Sequence, residues 1–163
     1  FNFQHDFNQH NTTLMFGYDY EYNRVHPVGN IPIPLASMQP AGSLQPRGNA
    51  SKTKTVNGIS IGINQVISPQ SFMQLKYSLS KASGYLTDPY KLLSVIENGS
   101  GQTLDYLYEK RPGNRQMQSV YLSNKTFLSG DVLDLSYRYY WDEWGIRSNT
   151  FDFRYRRKLN EYQ

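Results

Sequence analysis

The chain has 163 residues, enough for one domain, with 38% hydrophobic residues, 14 Tyr, 8 Phe and a formal net charge of +4. Low apolar content joined to abundant aromatics is unusual for a compact soluble core. It suits either a membrane sheet in which only every second residue is apolar, with rings gathered at the interfaces, or a Tyr-rich soluble sandwich. The lack of Cys excludes a disulfide scaffold and thiolate metal sites. No stretch supports a transmembrane helix: the long uncharged run Val56 to Leu75 is interrupted by Asn57, Asn64, Gln65, Pro69 and Gln70.

The chain opens on FNFQHDF, which reads as the end of a strand. With no initiator Met and no signal peptide, it is expected to be a mature or truncated segment. Period-two alternation then predicts a strand carrying Leu14, Phe16, Tyr18, Tyr20 and Tyr22 on one face and Gly17, Asp19 and Glu21 on the other. Residues 24 to 53 are rich in Gly, Pro, Asn and Ser and lack periodicity. The Pro-rich part, His26 to Pro46, reads as an extended plug, lid or partner-binding arm, mobile by default.

A second strand follows, with Ile59, Ile61 and Ile63 against Gly58, Ser60, Gly62 and Asn64. After the tight reversal Ile67 to Ser71 comes a third, with Met73, Leu75, Tyr77 and Leu79 against Gln74, Lys76, Ser78 and Ser80. Residues 84 to 114 form a second long, aperiodic connection. Gln116 to Phe127 is polar on both faces and is assigned as a strand from its position. A tight turn at Leu128 to Asp131 leads to the clearest alternation, Leu133, Leu135, Tyr137, Tyr139 and Trp141 against Asp134, Ser136 and Arg138. A connection at Asp142 to Arg147 precedes the last strand, where Phe151, Phe153 and Tyr155 alternate with Asp152, Arg154 and Arg156. The basic run Arg154, Arg156, Arg157 and Lys158 therefore reads as the charged face of a strand; no recognised nucleic-acid motif accompanies it.

Antiparallel strands place successive connections at alternate ends, so this order gathers the long loops at one end and the tight turns (near 68–70 and 128–131) at the other. Outer-membrane barrels show this asymmetry. The predicted fold is all-β, an antiparallel up-and-down transmembrane β-barrel occupying residues 1–163 as a single segment. Six or seven strands make it a partial barrel, because single-chain bacterial barrels have an even count from 8 upward.

Three ordered motifs carry a family resemblance: GYLTDPYK (Gly84 to Lys91), YEKRPGNR (Tyr108 to Arg115) and LSYRYYWDEWGI (Leu135 to Ile146). Over roughly residues 53 to 158 the chain resembles an uncharacterised, domain-of-unknown-function family of predicted Gram-negative outer-membrane β-barrels. That resemblance implies the bacterial outer membrane and a barrel fold; no enzymatic activity is established for the family.

Candidate residues fall into three groups. Asp19, Glu21, Lys76, Asp134, Arg138, Asp152, Arg154 and Arg156 face water in a barrel. They would either pair across strands to fix register or line a polar pathway. Asp88, Lys91, Glu109, Arg111, Arg115 and Asp142 share the long-loop end and are expected to form an ion-pair network that folds the loop. Tyr139, Tyr140, Trp141 and Trp144 read as an interfacial aromatic girdle or a stacking platform.

His5, His10 and His26 lack metal-ligand spacing, the acidic loop residues lack calcium-loop spacing, and no nucleophile elbow or phosphate loop occurs. No cofactor, metal or nucleic acid is expected. The leading function is a barrel among outer-membrane lipids, acting as a pore, a transporter or a scaffold subunit with protein partners in an envelope complex. The rivals are a soluble antiparallel β-sandwich that binds a partner or carbohydrate through aromatic loops, and a barrel-embedded enzyme.

Overall fold

A computed structural model describes residues 1–87 and 89–157; Asp88 of the expected loop network and Lys158 of the basic run lie outside the described residues. Among the described residues, every regular element is a strand: β1 (Asn2–Phe7), β2 (Thr12–Val25), β3 (Lys52–Ser68), β4 (Ser71–Gly84), β5 (Leu92–Ile96), β6 (Thr103–Tyr108), β7 (Asn114–Leu128), β8 (Asp131–Asp142) and β9 (Arg147–Arg156). Seven form one antiparallel sheet in the order β1-β2-β3-β4-β7-β8-β9, and β5 with β6 forms a separate hairpin. The strands expected from alternation are all present, as are the polar β7, expected from its position, and the N-terminal β1. Among the described residues the sheet is open, with β1 and β9 as its edges.

Local chemistry sets the tight ends of this meander. The β7–β8 link is Ser129 (φ 46°) and Gly130 (φ 107°), two left-handed residues of the kind whose turn matches the twist of paired strands. The β1–β2 link places Asn8, Gln9 and His10 at φ 50°, 54° and 67°, and the Asn11 N–H donates to the Asn8 carbonyl at 3.0 Å. Pro69 and Gln70 alone join β3 to β4.

Two compact units divide the chain. The first comprises Phe1–Tyr20, Asn57–Lys81 and the chain from Arg115 onward. It is a two-faced sheet. Register places Leu122 opposite Tyr137 and Tyr137 opposite Phe151, and Asn124 opposite Leu135 and Leu135 opposite Phe153. Phe3 lies opposite Phe16 at the other edge. Between these edges, Phe3, Leu14, Phe16, Ile61, Ile63, Leu75 and Tyr77 line one shallow apolar groove. The same face continues from β4 to β7, where the Tyr77 hydroxyl donates to Gln118 Oε1 at 2.6 Å and Asn124 Nδ2 donates to Ser71 Oγ at 3.1 Å. Many of its large side chains are exposed, reaching 78% at Phe151 and 71% at Phe153, while Ile63, Tyr77 and Tyr137 are half-buried. The opposite face presents Asn2, Gln4, Ser60, Gln74 and Lys76 toward the β1 edge and Ser123, Lys125, Asp134, Ser136, Asp152 and Arg154 toward β9.

The second unit, Glu21–Val56 with Ala82–Asn114, holds all the buried apolar side chains among the described residues: Ile31, Pro32, Ala82 and Tyr108. Here the structure differs from the sequence reading. Residues 84–114, expected to lack regular structure, contain the β5–β6 hairpin, and the Pro-rich segment is pinned to it. Leu35 N–H donates to the Tyr108 carbonyl (2.8 Å), Tyr108 N–H to Ala36 (3.1 Å) and Met38 N–H to Tyr106 (2.7 Å), so residues 35–38 run beside β6. The limbs of the segment are tied to each other as well: Ile31 N–H donates to Asn49 (3.0 Å) and Gly48 N–H to Ile31 (2.8 Å). Backbone that would otherwise lose water finds partners here, which is why a proline-rich stretch can enclose Ile31.

Candidate functional site

The polar face of the first unit carries a charged ladder. β7, β8 and β9 align Lys125, Asp134 and Arg154 as direct neighbours. The Asp134 carboxylate sits 3.7 Å from Lys125 Nζ and accepts at 2.6 Å from Nη2 of Arg156, the next residue on the same face of β9. Arg138 lies over the Tyr121 ring at 5.5 Å. Asp152 and Arg154, with Ser123, Lys125, Asp134 and Ser136, line a groove of about 280 Å³. Lys76 belongs to a second polar groove of about 390 Å³ with Asn2, Gln4, Ser60 and Gln74. Asp19 packs against Gly58, and Glu21 accepts from Asn23 Nδ2 at 3.4 Å. Lys125 was missed from sequence. Its alternation was hidden because β7 is polar on both faces, although its place opposite Asp134 follows once the turn at Ser129 and Gly130 is fixed.

At the β8–β9 end of the same unit, Asp142 organises a turn. Its Oδ1 accepts from the N–H groups of Trp144 (3.0 Å) and Ile146 (2.9 Å), and its own N–H donates to the Ile146 carbonyl (3.1 Å). Oδ2 accepts from Arg115 Nε (2.9 Å) and Nη2 (2.5 Å) and from the Tyr140 hydroxyl (3.0 Å). The carboxylate is fully buried, and a buried charge persists only when it is this thoroughly paired. Arg115 stacks in turn on Trp144, its guanidinium carbon 4.6 Å from the ring. Gly145 (φ 79°) lets the backbone reverse at this point, and Glu143 and Gln116 exchange two hydrogen bonds of 3.1 Å that tie the turn to β7. Tyr139 and Trp141 stack along β8 with centroids 5.3 Å apart.

The second unit explains the other two motifs. Arg111 pairs with Glu109 at 2.8 Å and donates to the carbonyls of Leu86 and Pro89, each at 3.3 Å. Lys91 contributes its backbone N–H, 3.1 Å from Glu109 Oε2. The hydrogen bond from Arg111 holds the Glu109 carboxyl below its ordinary value, with the Lys91 N–H adding to it against the opposing effect of burial. Gly84 (φ 107°) donates to the Gly113 carbonyl at 2.8 Å, and a Cβ at Gly84 would stand 2.3 Å from the Thr53 carbonyl oxygen. The GYLTDPYK and RPG segments thus fold onto each other through backbone contacts. Of the expected loop group, Glu109, Arg111 and Lys91 meet in this unit, and Arg115 and Asp142 meet in the first.

Among the described residues, no three His, Cys, Asp or Glu side chains converge to hold a metal ion. What the geometry presents is a wide antiparallel sheet, apolar on one face and ion-paired on the other, with a separately folded loop unit. The chain belongs to the family described as Protein of unknown function (DUF3570), whose model matches residues 1–162. The match therefore extends well beyond the 53–158 region of resemblance and takes in the N-terminal fifty residues. No curated protein and no solved structure matches the chain.

Proposed function

We propose that this chain forms the wall of a bacterial outer-membrane β-barrel whose polar face lines an aqueous lumen, so that the assembled barrel acts as a pore or transporter for polar solutes. One observation carries the reading: every one of the seven strands puts an exposed apolar side chain on the same face, Phe3, Phe16, Ile61, Leu75, Leu122, Leu135 and Phe153 among them, with the charged ladder confined to the other side. A soluble sheet of this size would cover such a face with a second layer, because exposed apolar patches on monomers rarely exceed a few hundred Å². Lipid is the solvent in which the face needs no cover. Tyr139, Trp141 and Trp144 then sit at the loop end as an interfacial girdle, and Asp142 with Arg115 secures the rim.

Closure requires strands that pair with β1 and β9, since an unpaired strand edge in hydrocarbon leaves polar backbone groups at a cost of about several kcal/mol each. Reconstitution into planar bilayers tests the function. Stepwise conductance that Asp134→Lys alters in ion selectivity supports it. A protein that is heat-modifiable on gels yet silent in every salt is a scaffold subunit of an envelope complex instead.

A further inference from the structure

The second unit contains a cleft of about 630 Å³, within the range of about 300–1,000 Å³ typical of small-ligand sites. Its walls are Arg24 from the end of β2, Lys52 and Thr53 from the start of β3, Tyr85, and Lys110 with Arg111. No Asp or Glu lines it among the described residues.

The four cations are not equivalent. Arg111 is neutralised by Glu109 and spent on the Leu86 and Pro89 carbonyls, so it is a fixed part of the wall. Lys52 is steadied without loss of charge, its Nζ 5.7 Å from the Tyr85 ring. Arg24 and Lys110 have no carboxylate partner among the described residues. Among the described residues, three positive charges without a carboxylate partner therefore line one concave surface, an arrangement that self-repulsion disfavours unless an anion occupies it.

We propose that this cleft binds a phosphate-bearing anion. Several Arg and Lys donors on one wall, with Thr53 and Thr87 among the lining residues, match the several acceptor oxygens and double charge of a phosphate better than a single carboxylate. The volume exceeds that of a lone phosphate, so the ligand carries the group on a larger body. The phosphate can come from a soluble phosphorylated solute or from a lipid headgroup. The inference stands independently of the membrane reading, because every wall of the cleft belongs to the second unit.

The test is a binding titration of the full chain in detergent. The soluble probe is inorganic pyrophosphate, and the lipid probe is neutral micelles doped with phosphatidylglycerol; acetate is the control. Binding of pyrophosphate assigns a soluble ligand, and binding of the doped micelles alone assigns a headgroup. In either case the double substitution Arg24→Gln with Lys110→Gln weakens binding by about a hundredfold, since each charge-assisted contact is worth about tenfold or more. Both residues are exposed, so the circular dichroism spectrum stays unchanged. The proposal is overturned if neither probe binds, if acetate binds equally well, or if the double variant binds as the parent does.

Discussion

Arg115 and Asp142, which are 27 positions apart in sequence, form a two-pronged ion pair in which Nε and Nη2 of the guanidinium meet a single oxygen of a fully buried carboxylate. The pair joins the start of β7 to the end of β8, and the other oxygen of Asp142 closes the turn into β9. Removing Arg115 strands that buried charge. Arg115→Ala is expected to lower unfolding stability by about 3 kcal/mol, the cost typical of breaking a buried pair from one side. Asp142→Asn keeps an acceptor for Trp144 and Ile146 and should cost less than Asp142→Ala. Urea unfolding in detergent ranks the three variants, and an Arg115→Ala protein as stable as the parent would show the pair to be ornamental.

Glu109 gives the loop unit a pH dependence. Its carboxyl titrates below the ordinary value of 4.5, chiefly through the hydrogen bond from Arg111. A depressed carboxylate pKa means the stabilisation is complete above the unfolded-state value and is lost as pH falls through the folded-state value. Limited proteolysis of residues 84–114 with an acid-active protease should accelerate as pH drops below about 4.5. In Glu109→Gln, this particular acceleration should vanish because cleavage is already fast at neutral pH.

Two glycines with the same backbone angle should respond differently to a side chain. Gly84 and Gly130 both have φ 107°, but a Cβ at Gly84 meets the Thr53 carbonyl oxygen at 2.3 Å, whereas at Gly130 nothing lies within 4 Å. Gly130→Ala pays only the conformational cost of about 1–2 kcal/mol. Gly84→Ala pays that and a backbone collision, so its unfolding midpoint should fall further. Equal losses would mean that the approach of Gly84 to Thr53 is not maintained in solution.

The two faces of β8 should differ in their tolerance of charge. Leu135→Lys places an ammonium on the apolar face and is expected to cost about 2–4 kcal/mol if that face meets the bilayer interior. Ser136→Lys, one residue along, points into the polar groove and should cost little. Folding yields into lipid vesicles across a urea series measure both.

Much of this architecture was legible in the sequence because period-two alternation is a local signal. Leu133 to Trp141 and Leu14 to Tyr22 declare their faces without knowing their neighbours, and Ser129 with Gly130 declares a turn. The hairpin of β5 and β6 was not legible. Leu92 to Ile96 is a short run without alternation, and β6 gains its place from residues 35–38, which the proline pattern marked only as extended. Site residues followed the same rule. Charged residues on alternating strands were visible, whereas Lys125 lay in a strand polar on both sides. That Arg115 pairs with Asp142 while Arg111 pairs with Glu109 depends on register and chain reversal, which no local window contains.

The membrane placement of the sheet is the central claim, and the lack of native Cys allows it to be measured cleanly. Single cysteines at Ile61, Leu122, Leu135 and Phe153, and at Ser123, Ser136 and Asp152, would each carry a nitroxide label in protein reconstituted into lipid vesicles. The first set should relax with lipid-soluble oxygen and the second with a water-soluble nickel complex, alternating residue by residue along β8. Uniform water accessibility on both faces, in a protein that stays monodisperse without detergent, would contradict it.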